Sequence, residues 1–139
     1  MKTKKILVAG IAGGVLFFLM GWLIYGIILA NYAAGQGNSE FMRPMSEMKW
    51  WALIISNLCC GFLFAFIFDW SKIRSLSSGA AKGAILGLLL AIATDLGLYS
   101  MYTMFSGFAP VIVDIVSSVV MFTMTGALVG WIFSRYPRA

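Results

Sequence analysis

Histidine is absent from the 139 residues of this chain. That removes histidine-ligated haem, histidine-ligated metal sites and imidazole acid–base catalysis. Charge is nearly as scarce. Asp, Glu, Lys and Arg make up 11% of the residues, against about 25% in an ordinary soluble domain. So few charges cannot cover a water-facing surface. The two cysteines, Cys59 and Cys60, are adjacent. Neighbouring helical positions point about 100° apart, which excludes a disulfide between them. They read as small apolar fillers. The three prolines, Pro44, Pro110 and Pro137, fall in an expected loop, at an expected helix start and after an expected helix end. No P-loop, His-Glu-x-x-His or Cys-x-x-Cys is present. The expectation from this inventory is no enzymatic activity, no cofactor and no metal.

What is abundant is apolar surface, at 61% of residues. No charged residue occurs between Lys5 and Glu40, or between Lys49 and Asp69. Gly83–Phe105 and Ala109–Phe133 carry one aspartate each. A helical span needs about 20 apolar residues. Four spans are therefore expected, at residues 6–30, 50–68, 83–105 and 110–133. They form one transmembrane domain over residues 1–139. None alternates with period two, so helices rather than barrel strands satisfy the backbone in lipid. The fold class is all-α, a polytopic bundle of four transmembrane helices. The N-terminal apolar run is too long for a signal-peptide core of about 7–15 residues and reads as the first span.

Lysine and arginine gather at one end. Lys2, Lys4, Lys5, Lys72, Arg74, Lys82, Arg135 and Arg138 flank the spans on one side, and Arg43 and Lys49 on the other. The positive-inside rule then places both termini and the 69–82 loop in the cytoplasm, N-in/C-in. The 31–49 loop and a short 106–109 turn face outward. The second half of that loop, with Phe41, Met42, Met45 and Met48, is expected on the membrane surface or over the bundle. The net charge of +5 arises from this ring, so it points to the bilayer and not to nucleic acid. Trp50, Trp51, Trp70 and Trp131 sit at span boundaries, as aromatic belts do.

Small residues recur every four positions. Gly79, Gly83, Gly87 and Ala91 lead to Asp95 in the third span, Gly10 and Gly14 lie in the first, and Gly126 and Gly130 in the fourth. Such stripes let helix backbones approach closely in lipid. They can serve packing inside the bundle. They can also serve docking, in a homo-oligomer or as a subunit of a larger membrane complex.

Asp95 stands in the middle of the third apolar stretch. A carboxylate at the centre of a span costs about 2.5–3.5 kcal/mol on insertion, so it marks a functional site or a buried polar pairing. Counting from a turn near Gly107 and Phe108 places Asp95 level with about Val120. It places Asp114 level with Tyr102, about 10 Å away in depth. An aspartic dyad is therefore not expected, and Asp114 is assigned to stabilising the start of its helix. The candidate polar layer around Asp95 consists of Asn57, Tyr99, Ser117, Ser118, Trp22 and Tyr25. One reading is a hydrogen-bonded cluster with Asp95 protonated, holding the helices in register. The other is a proton or cation site in a cavity opening outward.

The segments Gly21-Trp22-Leu23-Ile24-Tyr25, Gly83-Ala84-Ile85-Leu86-Gly87 and Gly126-Ala127-Leu128-Val129-Gly130-Trp131 carry a resemblance. The chain resembles a group of small bacterial four-helix membrane proteins known only as a domain of unknown function. The resemblance implies a four-helix fold in a bacterial inner membrane and brings no activity with it. Small multidrug exporters share the span count but would want a glutamate in the first helix. Fluoride channels would want an arginine motif. Neither is present. Two functional classes stay open: an accessory or scaffold subunit docking through glycine faces, and a small transporter or channel for a proton, cation or small solute using Asp95.

Overall fold

The computed structural model describes residues 2–32 and 43–136. Among them four helices are long and apolar enough to cross a membrane. Helix α1 runs Lys2–Leu23 and continues as a π-helical turn, Ile24–Ile28. Helix α2 is Trp50–Trp70, α3 is Leu76–Met101 and α4 is Phe108–Ser134. No strand occurs among the described residues. The all-α expectation of four apolar spans is met. The outer-loop expectation falls partly on residues 33–42, which lie outside the described residues. Beyond them, Met45–Glu47 form a single 3-10 turn with Met45 exposed.

The helix ends differ from those read off the hydropathy. Helix α3 begins seven residues earlier than expected, at Leu76, because Ser75 caps it. The Ser75 side chain accepts from the Ser78 backbone N–H at 3.2 Å, satisfying one of the donors that a helix start leaves open. Ser75→Ala is therefore expected to cost about 1 kcal/mol, with Ser75→Asp retaining most of the stability. Thermal unfolding in detergent micelles, wild type against both variants, measures this. Helix α3 also ends early, at Met101 instead of Phe105. Thr103, Ser106 and Gly107 are poor helix formers that favour turns. The connection is thus Tyr102–Gly107, and α4 opens at Phe108 with Pro110 in its first turn, where no N–H is needed.

Two hairpins make up the architecture. Helix α2 lies against α1, and α3 lies against α4, while α1 and α4 meet along the middle. The first hairpin crosses where Gly61 meets the backbone of Gly10 and Gly14. The second crosses along a longer seam. Gly79 faces Gly126 and Gly130, Gly83 faces Phe122 and Gly126, and Gly87 faces Phe122 and Ser118. At Gly61, Gly79, Gly83, Gly126 and Gly130 a Cβ would collide with backbone of the opposite helix. The stripes therefore serve contact within the chain. The core sits at the end where both termini lie: Ala9, Phe64, Ala65, Phe68, Val129 and Phe133 are almost fully buried. Phe122 joins it, edge-on to Phe17 at 5.2 Å and tilted against Phe64 at 5.3 Å. Leucine and isoleucine cover the outward faces, with Leu89 and Ile85 on α3 and Ile11 and Leu19 on α1, as a lipid-facing surface requires.

Candidate functional site

The register of the α3–α4 seam decides what Asp95 meets. Each four-residue step along α3 is matched by a four-residue step back along α4. Gly79 lies across from 126 and 130, Gly83 from 122 and 126, and Gly87 from 118 and 122. Continuing the pattern sets Ala91 across from 114 and 118, and Asp95 across from 110 and 114. The helix ends agree. Asp95 is six residues before Met101, and Asp114 is six residues after Phe108. The two carboxyl groups are close enough to interact directly. This corrects the depth estimate that separated them by about 10 Å. That estimate placed the turn at Gly107 and Phe108, as though α3 were helical to its last apolar residue.

Asp95 is 5% exposed. Its Oδ1 lies 3.5 Å from the Thr94 hydroxyl, which is bonded more closely to the Leu90 carbonyl at 2.9 Å. Its Oδ2 is buried and has no hydrogen-bond partner. Asp114 is half-buried and accepts a hydrogen bond from the Tyr25 hydroxyl at 2.5 Å. Ser118, one turn further along α4, stands beside the same tyrosine hydroxyl. Tyr25 belongs to the π-helical turn, closed by Leu29 N–H donating to the Ile24 carbonyl at 2.7 Å. Such wide turns inside α-helices recur at functional sites. Three helices thus contribute to one polar cluster: Tyr25 from α1, Asp95 from α3, and Asp114 and Ser118 from α4.

The other expected members go elsewhere. Asn57 donates to the Leu53 carbonyl of its own helix at 2.7 Å. It lines an apolar groove of about 150 Å³ with Gly14, Val15, Phe18, Ile54 and Leu58, between α1 and α2. Helix α2 lies against α1 and not against α3, which removes Asn57 from the layer. Ser117 is buried, but its hydroxyl is turned to the Val113 carbonyl at 2.8 Å. Tyr99 faces outward with its ring 5.9 Å from that of Phe108. Trp22 is also exposed and covers Gly26.

A second charged cluster went unread in the sequence. Lys5 and Asp69 form an ion pair at 2.5 Å with both side chains 6% exposed. Lys2 approaches Asp69 at 3.4 Å, and the Lys5 ammonium lies 5.3 Å over the Phe133 ring. This ties the start of α1 to the end of α2 beside the end of α4. Its sequence signal was weak: a lone aspartate at a span boundary among basic residues looks like any loop charge.

Comparison with family models, with curated proteins and with solved structures returned no match. The assignment of function therefore rests on the chemistry of the cluster itself.

Proposed function

We propose that this membrane protein moves a proton or a small cation, with the Asp95–Asp114 pair as the binding site. The observation that carries the reading is the unpartnered, buried Oδ2 of Asp95 beside a second carboxyl group. An intramembrane carboxylate is expensive and marks ion or proton pathways, and two side by side are harder still to explain as packing. Depth favours access from one side. Helix α3 spans 26 residues, about 39 Å. Centred on a hydrocarbon core of about 30 Å, Asp95 lies about 5 Å beneath its edge, at the end with the α3–α4 turn. By the positive-inside rule that end faces outward from a bacterial cytoplasm, with both termini inside. The core around Phe64, Phe68, Phe122 and Phe133 closes the opposite end.

The glycine stripes do not favour the docking-subunit reading. The glycines expected to dock, Gly10, Gly14, Gly79, Gly83, Gly87, Gly126 and Gly130, all meet another helix of the same chain. Assembly with other copies or subunits would use the leucine- and isoleucine-covered faces or the outer loop, part of which lies outside the described residues.

Reconstitution in proteoliposomes tests the transport reading. With an imposed ion or pH gradient, the wild type is expected to carry flux and Asp95→Asn to reduce it to the level of empty vesicles. Equal flux in both proteins, or none from the wild type with protons, sodium or potassium, would sink the proposal.

A further inference from the structure

We infer that the occupant of this site is a single proton shared between Asp95 and Asp114, and not a metal cation. The inference rests on the transport-site reading for its location and deepens it by naming the ligand. Three observations carry it.

The first is the absence of a countercharge among the described residues. The groups acting on Asp95 are Asp114 and Thr94, and those acting on Tyr25 are Asp114, Ser118 and Asp95. None is basic. Helix α1 contributes Tyr25, α4 contributes Asp114 and Ser118, and α3 itself contributes Thr94. Helix α2 packs against α1 and, through Phe64, against α4, and the one charged residue within it, Asp69, lies at the opposite end. Lys2, Lys5 and Arg135 belong to the opposite ends of α1 and α4. Two carboxylates facing each other across the α3–α4 seam in a low-dielectric site cannot both ionise at modest cost, and one proton held between them relieves the repulsion.

The second is the set of free oxygens. Asp114 Oδ1 is occupied by the Tyr25 hydrogen, and Asp95 Oδ1 faces Thr94. That leaves Asp95 Oδ2 as the buried oxygen with no partner. A carboxylic acid proton needs one acceptor beside one donor oxygen. A hard cation such as calcium takes six or more oxygens. The third is the backbone. Helical ion sites in membranes recruit carbonyls from unwound segments. Helices α3 and α4 run unbroken through Asp95 and Asp114, so their carbonyls stay engaged, and in the π-helical turn of α1 the Ile24 carbonyl accepts from Leu29 N–H. No third carboxylate joins the pair among the described residues.

Infrared difference spectroscopy of the full chain in lipid, exchanged between H2O and D2O, tests this. The wild type is expected to show one protonated-carboxyl band at neutral pH that shifts on deuteration. Asp95→Asn and Asp114→Asn should each abolish it, because each leaves a lone carboxylate with a hydrogen-bond donor. Tyr25→Phe, which removes neither carboxyl group, should keep the band and shift its frequency. That variant also serves as the folding control. A band that survives in Asp114→Asn would overturn sharing, since Asp95 would then hold its proton by burial alone. A band that sodium or calcium abolishes in the wild type would overturn the proton in favour of a cation. The outcomes separate from those of the flux assay. The expected band with no flux would leave a proton site in a protein that does not transport. Sodium flux without the band would leave a transporter with a different ligand.

Discussion

Gly61→Leu is expected to destroy the α1–α2 hairpin, the largest effect foreseen for any single substitution at a packing position. At Gly61 a Cβ would collide with the Gly10 carbonyl oxygen and the Gly14 backbone N. Backbone cannot swing aside as a flexible side chain can. The helices must separate, and the contacts of Ala9, Phe64 and Ala65 in the neighbouring core go with them. Overpacking of a well-packed core typically costs about 1–3 kcal/mol. A clash with backbone on both sides of the crossing belongs at or above the top of that range. In lipid no hydrophobic drive between helices compensates, because acyl chains solvate leucine as well as a neighbouring helix does. The expected result is loss of a cooperative thermal transition in detergent, with helicity by circular dichroism largely kept. Gly97→Ala provides the contrast. Nothing lies within 4 Å of a Cβ at Gly97, which is in the interior of α3. Alanine there should raise stability by about 0.5–1 kcal/mol, as glycine in a helix interior is the poorer residue. If Gly61→Leu melts like the wild type, the described crossing of α1 and α2 is wrong.

The glycine stripes show what is legible in one sequence and what is not. Residues 79, 83, 87 and 126, 130 announce close approach through their four-residue spacing. The spacing does not say which stripe meets which. Gly61 had no such pattern around it, yet it is the point where two helices touch. Spans were legible because apolar runs of about 20 residues have one physical use. Their ends were not, because Ser75 capping and the six residues of the α3–α4 connection are set by local hydrogen bonding and not by hydropathy.

That small error at a helix end had a large consequence. Ending α3 at Phe105 slides Asp95 past Asp114, and a carboxyl pair becomes two unrelated residues. The seam repeat would have given the right answer, had the two stripes been matched glycine to glycine instead of counted from the turn. Asn57 failed for a different reason. Depth counting places residues at a level but says nothing of azimuth, and α2 packs against α1 and α4 and not beside α3. Tyr25 hydrogen-bonds to Asp114. Its route to Asp114 runs through a π-helical turn, which no periodicity argument based on 3.6 residues per turn would foresee.

Asp69→Leu is expected to destabilise the protein by about 3 kcal/mol, and Lys5→Leu by less. The asymmetry follows from the geometry. Removing Asp69 leaves the Lys5 ammonium buried at 6% exposure with only the Phe133 ring for company. A ring face at 5.3 Å recovers about 0.5–2 kcal/mol of what a carboxylate provided. Removing Lys5 leaves Asp69 with Lys2 still at 3.4 Å, and the Lys2 side chain is 72% exposed and free to move closer. The double variant, Lys5→Leu with Asp69→Leu, should recover most of the loss. Two apolar side chains of similar length can join Ala9, Phe68 and Phe133, whereas a lone buried charge has no partner. A double-mutant cycle of thermal stabilities in detergent reads the coupling directly. Additive losses would mean that the pair is solvated rather than buried. A loss on Lys5→Leu as large as on Asp69→Leu would mean that Lys2 does not compensate. The cycle also bears on transport, because this pair joins α1, α2 and α4 at the end opposite Asp95. On the transport function proposed above, a double variant that folds but loses the gradient in proteoliposomes would identify the ion pair as a closure of the end opposite Asp95.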